Sequence, residues 1–168
     1  MKTMNSKILS QLINLTTQAG EIIMDLRANS SDYSIKADNT PVTLADKASH
    51  ELIVNTLQKL TPNTPILSEE SSHIPFSTRK SWDEYWLIDP LDGTRDFIDG
   101  SPDFCISIAL IRSNYPIFGL IYSPFSKVHY YRVENGASIK LDNKTTSTIL
   151  TTKPKRWEKI VVGRYSNN

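Results

Sequence analysis

The hydrophobic period changes along this chain, from about 3.6 residues in the segments before Pro62 to 2 beyond the acidic turn at 86–97, and that switch limits the fold more than any other feature. Ile8, Leu12, Leu15, Ala19, Ile22 and Leu26, broadened by Leu9, Ile13 and Ile23, make one stripe over residues 5–28 and predict an amphipathic helix. A polar interval at 29–34 reads as a loop before a short segment at 33–37. Thr40-Pro41 then reads as the cap and first position of a second helix, with Ala45, Ala48, Leu52, Ile53, Leu57 and Leu60 on its apolar face and Pro62 as its stop. Beyond the switch, Phe104, Ile106, Ile108 and Leu110 share one face of a strand, while the smaller Cys105, Ser107 and Ala109 share the other and let a helix come close. Further strands at 117–122, 127–133 and 137–141 are joined by Ser113 to Pro116, Ser123-Pro124 and Asn135-Gly136. Short connections imply an antiparallel meander, and two helices on one side of it make an α+β fold.

Composition excludes several partners. The 168 residues carry 19 basic and 18 acidic side chains, a net charge of +1, which gives no electrostatic case for nucleic acid. No apolar run is long enough to span a bilayer, and the first residues lack a signal-peptide core. The expectation is a soluble, cytoplasmic protein, with peripheral attachment at the inner membrane face left open. Cys105 stands alone, so an internal disulfide and a cysteine-rich zinc site are excluded. His50, His73 and His129 have no metal-ligand spacing between them and read as surface or packing residues.

The chemistry concentrates in Trp86-Leu-Ile-Asp-Pro-Leu-Asp-Gly-Thr-Arg-Asp-Phe97. A strand over residues 82–88 stops at Asp89-Pro90, because proline cannot continue an interior ladder. Asp89 and Asp92 therefore emerge on a turn, with Gly93 free to take a left-handed conformation and the Thr94 hydroxyl beside it. Two fixed carboxylates and a hydroxyl are hard oxygen donors that suit Mg²⁺ or Mn²⁺. An ordinary Asp-Gly loop is the competing reading, and it must accommodate Asp89, Asp92, Asp96 and Asp99 without a cation. Upstream, Asp46 falls in the early turns of the second helix, where a carboxylate is favoured, and also reads as a solvated helix residue. A short strand at 64–68 runs into Glu69-Glu70, and residues 71–81 read as a polar loop.

Together, the 86–94 segment, Ser68-Glu69-Glu70 and Lys36-Ala-Asp-Asn-Thr-Pro-Val-Thr-Leu-Ala-Asp46 resemble the inositol monophosphatase superfamily, and within it the CysQ-type bisphosphate nucleotidases. The CysQ character comes from Ser-Glu-Glu, from Phe97-Ile98, and from the run between Phe104 and Tyr122. The resemblance implies the N-terminal half of a two-domain sandwich, two long helices on a mostly antiparallel sheet. It implies a first Mg²⁺ on Glu70, Asp89 and the Leu91 carbonyl, and a second on Asp89 and Asp92. A third, weaker Mg²⁺ would meet Glu70 through water. Thr94, oriented by Asp46, would help position and deprotonate the attacking water, and the amides of Gly93 and Thr94 would meet the substrate phosphate. Lys36 belongs to the motif as a loop contact near the site.

The implied reaction is Mg²⁺-dependent removal of the 3′-phosphate of adenosine 3′,5′-bisphosphate, leaving AMP. An inositol or sugar phosphate substrate, and a non-catalytic protein that binds metal or a partner, are the alternatives. Organisation reads as a metal-binding domain over 1–142, a linker over 143–156 and the opening of a second domain over 157–168. A further aspartate on the second metal and most of the nucleoside pocket would lie in the remainder of such a protein. Implied partners are a small phosphate monoester and a separately encoded C-terminal half or a second copy of the chain.

Overall fold

Asn5 starts the first helix: its Oδ1 accepts the Ile8 amide at 2.8 Å, satisfying one of the donors that a helix start leaves open. Helix α1 (Ser6–Asn29) then runs as its stripe requires. Leu12, Leu15, Ala19 and Ile23 are buried on one side. The computed structural model describes residues 4–29, 33–35, 41–71, 73–142 and 145–149. Lys36 and residues 157–168, on which expectations were placed, lie outside the described residues.

Two short strands, β1 (Tyr33–Ile35) and β2 (Pro41–Thr43), pair antiparallel with Ile35 opposite Pro41. Helix α2 (Leu44–Leu60) begins only after them. The expected Thr40-Pro41 helix start is thus corrected: the fixed φ of proline fits an extended edge as well as a first helical turn, and here the edge takes it. Strand β3 (Ile66–Ser68), the single-turn helix α3 (Phe76–Arg79) and strand β4 (Glu84–Asp92) follow. The expected loop at 71–81 therefore carries one helical turn.

After helix α4 (Thr94–Ile98) come β5 (Cys105–Arg112), β6 (Tyr115–Ser123), β7 (Val128–Val133), β8 (Ser138–Leu141) and β9 (Thr146–Ile149). The seven strands β3 to β9 stand side by side in chain order, antiparallel except for the parallel β3–β4 pair. This is the expected α+β layer. Strand β9 lies inside the stretch expected to be a linker.

Alternation along the strands decides which face the helices cover. Trp86, Ile88, Ile106, Ile108, Leu110, Phe118, Leu120 and Tyr122 point inward and are buried against α1 and α2. Both helices pack on this large-residue face. The expectation that the small face of β5 receives a helix is not met among the described residues. Close packing comes from Gly20 on α1, where a Cβ would stand 2.5 Å from the ring of Tyr122. Across the same contact, His129 stacks on Tyr122 with centroids 4.1 Å apart, and its Nε2 lies 3.1 Å from Thr16 Oγ1. Thr16 Oγ1 also lies 3.0 Å from the Leu12 carbonyl, to which it can donate, and the histidine tautomer sets which group donates between Thr16 and His129.

Candidate metal centre

Strand β4 does not stop at Pro90. It continues to Asp92 through a register shift, with Asp89 opposite Ser107 and Asp92 opposite Cys105. The ladder tolerates proline here because β3 ends at Ser68, opposite Ile88, so position 90 has lost its neighbour on that side. The bulge turns both aspartates towards the end of the sheet. Asp89 stays half-buried and Asp92 is exposed.

The parallel register sets the second carboxylate. Ser68 is buried and bonded to His50 Nδ1 at 2.9 Å, so it points to the helices, and by alternation Glu69 points to the other face, alongside Asp89. The Glu69 amide donates to the Ile88 carbonyl at 3.4 Å, continuing the β3–β4 pairing. The Glu69 carboxyl lies within hydrogen-bonding reach of Asp89. Burial first, then the charges of Glu69 and Asp92, push the Asp89 carboxyl up to about 7, against a partial offset from the Leu91 amide, which donates to its Oδ1 at 3.2 Å. Glu70, the acidic residue given metal and catalytic roles by the resemblance, is the half-buried neighbour whose amide donates to Ser68 Oγ at 3.3 Å.

Helix α2 holds the acidic turn from behind. Ser49, fully buried, donates to the Pro90 carbonyl at 2.9 Å, and His50 on the next position holds Ser68. Asp46, one turn earlier on the same helical face, is buried at 3% exposure, so it is not the solvated helix residue that composition permits. His50, read from the sequence as a surface or packing residue, packs on Ser68, whereas a serine such as Ser49 on a helix carries no pattern of its own. In Asp46-Lys-Ala-Ser-His50, the spacing of three and four from the acidic residue was the available signal.

After Asp92 the chain turns on Gly93, at φ 89°, where a Cβ would lie 2.8 Å from the Asp103 carbonyl. Both the left-handed backbone and the close approach require glycine. Thr94 Oγ1 donates to the Leu91 carbonyl at 3.1 Å and Phe97 caps the turn through its amide to Gly93. The Arg27 guanidinium fixes the far side, lying 5.5 Å from the Phe97 ring and 5.0 Å from Phe104 and donating to the Ser101 carbonyl at 2.8 Å. Cys105 Sγ is 3.9 Å from Asp92 Oδ2, and burial raises its thiol, keeping it protonated as a weak donor.

Among the described residues no three His, Cys, Asp or Glu side chains are already gathered as a metal cage. The donor set is a carboxylate pair, Glu69 and Asp89, with the Asp92 charge close enough to act on it. Burial first, and then the like charges of Glu69 and Asp92, favour a proton on Asp89; a hard divalent cation can relieve the same cost, and Mg²⁺, which keeps several waters, needs only one or two protein carboxylates. The residues present fit such an ion.

The family model "Inositol monophosphatase family" matches residues 4–165. The chain belongs to the inositol monophosphatase family. It is 39% identical over 165 residues to the 3′(2′),5′-bisphosphate nucleotidase CysQ of Haemophilus influenzae, covering 97% of this chain and 61% of that one. With the CysQ of Salmonella typhimurium it shares 42% over 132 residues, 77% of this chain and 53% of that one. Among solved structures, CysQ from Bacteroides thetaiotaomicron aligns with a TM-score of 0.66 at 36% identity over 78% of this chain and 47% of its own. The Thermotoga maritima IMPase aligns with a TM-score of 0.70 at 26% identity over 82% and 51%. The chain thus spans about half the length of these family members, from 47% to 61%.

Proposed function

We propose that this chain supplies the metal-binding part of a Mg²⁺-dependent phosphomonoesterase that removes the 3′-phosphate of adenosine 3′,5′-bisphosphate. The observation that supports it is the pairing of Glu69 with Asp89 at adjacent strand ends, in a chain similar to proteins named 3′(2′),5′-bisphosphate nucleotidase. Glu69, Asp89, Asp92 and the Leu91 carbonyl would hold the ions, two in number by the family resemblance. The resemblance gives the first ion to Glu70; we assign that ligand to the adjacent Glu69, because its carboxyl reaches Asp89. Bound there, Mg²⁺ would neutralise the phosphate dianion and favour ionisation of the attacking water.

The chain's own groups do the rest. Gly93 and Thr94 would offer their backbone amides to the phosphate, as the family resemblance implies. Thr94, whose hydroxyl donates to the Leu91 carbonyl, would orient a water, with the buried Asp46 orienting Thr94 as the family resemblance implies. In the reaction water oxygen joins phosphorus, the P–O bond to ribose C3′ oxygen breaks, and the proton passes to that oxygen, leaving AMP and phosphate.

Phosphate release from adenosine 3′,5′-bisphosphate in the presence of Mg²⁺ tests the reading. Release above that of Asp89→Asn, abolished by EDTA, is expected. Rates equal to the variant contradict it. Preferential release from inositol 1-phosphate in the same assay would instead move the substrate to the second class considered above, while leaving the carboxylate pair in place.

A further inference from the structure

Strand β3, which carries Glu69 at its end, is weakly held by the sheet itself. It has three residues, lies at an edge, and pairs with β4 alone, Ile66 facing Trp86, Leu67 facing Leu87 and Ser68 facing Ile88. The direction of side chains in a strand is ordinarily fixed by which of them must be buried. In β3 that signal is faint, because Ile66 and Leu67 are both aliphatic and both half-buried. The last bond of the ladder, from the Glu69 amide to the Ile88 carbonyl, is long at 3.4 Å and adds little. Polar contacts take over at Ser68. Its side chain is 6% exposed, lies 2.9 Å from His50 Nδ1 and accepts the Glu70 amide at 3.3 Å, while its carbonyl accepts the Ser71 amide at 3.2 Å. On the helix side, Ser49 donates to the Pro90 carbonyl at 2.9 Å. Adjacent residues of α2 therefore tie down both strand ends that bear carboxylates, Ser49 on β4 and His50 on β3.

We propose that His50 is a positioning residue of the acidic site: by holding Ser68, it fixes the end of β3 so that the Glu69 carboxyl stands beside Asp89. It acts through Ser68 and not on an ion. Its effect on Mg²⁺ rests on the metal-binding reading above, whereas its effect on the strand end does not. Two carboxylates share an ion well only while both keep their direction, and groups that orient a ligand typically contribute about 10–100-fold in metal affinity. Imidazole suits this place because a serine hydroxyl both donates and accepts, so the contact to Nδ1 persists in either neutral tautomer. Asparagine sets its amide nitrogen at the same distance along the side chain as Nδ1 and can keep the contact. Leucine fills the half-buried space and cannot.

The test compares the full chain with His50→Leu, His50→Asn and Ser68→Ala. Amide hydrogen exchange, followed by NMR without metal, is the first readout. His50→Leu and Ser68→Ala should each speed exchange at Glu69 and Glu70 by about tenfold, the scale of one net hydrogen bond, and leave the central Ile108 amide as it was. His50→Asn should stay within about threefold of the unaltered chain. Mg²⁺ calorimetry is the second readout. His50→Leu should weaken binding by about 10–100-fold and His50→Asn should restore it. Once His50→Leu is present, Glu69→Gln should add little further loss, since the two changes remove the same placement. A histidine with a merely structural part would lower the melting temperature without this rescue or this coupling. Unchanged exchange at Glu69 and Glu70 in His50→Leu, failure of asparagine to restore it, or Mg²⁺ affinity that survives His50→Leu would each overturn the proposal. Absence of Mg²⁺ binding to the unaltered chain would overturn the metal reading, and the exchange result would still decide the role of His50.

Discussion

Glu69 and Glu70 are chemically identical neighbours, and what separates them is one step of strand alternation. Ser68 turns to His50 and the helices, which sends Glu69 to the Asp89 side. No local sequence signal distinguishes the pair. The parallel register of β3 on β4 does, and that register joins segments separated by the 71–81 stretch. Asp89, Asp92, Gly93 and Thr94 were legible because proline, glycine and clustered carboxylates each demand a physical explanation in place. The crowding of like charge has a measurable consequence. In EDTA, Asp89→Asn should raise the melting temperature by about 2–4 °C, the usual scale for relief of an unfavourable functional group in a chain of this size. A lower melting temperature would mean that the carboxylate is well compensated by the protein itself. Gly93→Ala should go the other way, losing roughly 1–3 kcal/mol by urea denaturation, since it forces a left-handed alanine against the Asp103 carbonyl.

At the level of elements, strong periodicity was read correctly and weak edges were not. Helix α1 and strands β5 to β8 follow their apolar patterns, whereas β9 has no apolar alternation because all four of its residues are exposed at the sheet edge. The beginning of α2 was displaced because Pro41 suits a strand edge equally well. Contacts between elements carry two further expectations. Ser49→Ala should cost about 1–3 kcal/mol, because the buried Pro90 carbonyl loses its donor and α2 loses its hold on the acidic turn. Equilibrium unfolding checks this, and a change below 0.5 kcal/mol, roughly the scale of a neutral surface substitution, would contradict it.

His129 joins α1 to β7, and burial lowers its pKa from 6.5. Since the folded value lies below the unfolded one, its stabilising contribution is complete above about pH 6.5 and is lost as pH falls from there through the folded value. The urea midpoint of the unaltered chain should therefore drop more between pH 7.5 and 5 than that of His129→Gln, these bounds bracketing roughly the ordinary histidine range. Parallel pH profiles would rule out the histidine as the source.

For the molecule as a whole, one helical layer and one sheet place the acidic pair at a sheet end, and the opposite sheet face carries apolar residues at outward positions. The α+β layering was visible from the change of period alone. Which face stays open was not, because alternation assigns residues to two faces without naming the one the helices choose. The central proposal joins the two scales: strand register puts Glu69 beside Asp89, where it, rather than Glu70, would share a cation with that carboxylate. Calorimetric titration of Mg²⁺ into the full chain and into Glu69→Gln and Glu70→Gln tests it most directly. Loss of binding in Glu69→Gln, with Glu70→Gln within about threefold of the unaltered chain, or 0.7 kcal/mol, is the expected result. Binding that survives Glu69→Gln and disappears in Glu70→Gln, or no binding to the unaltered chain, would contradict it.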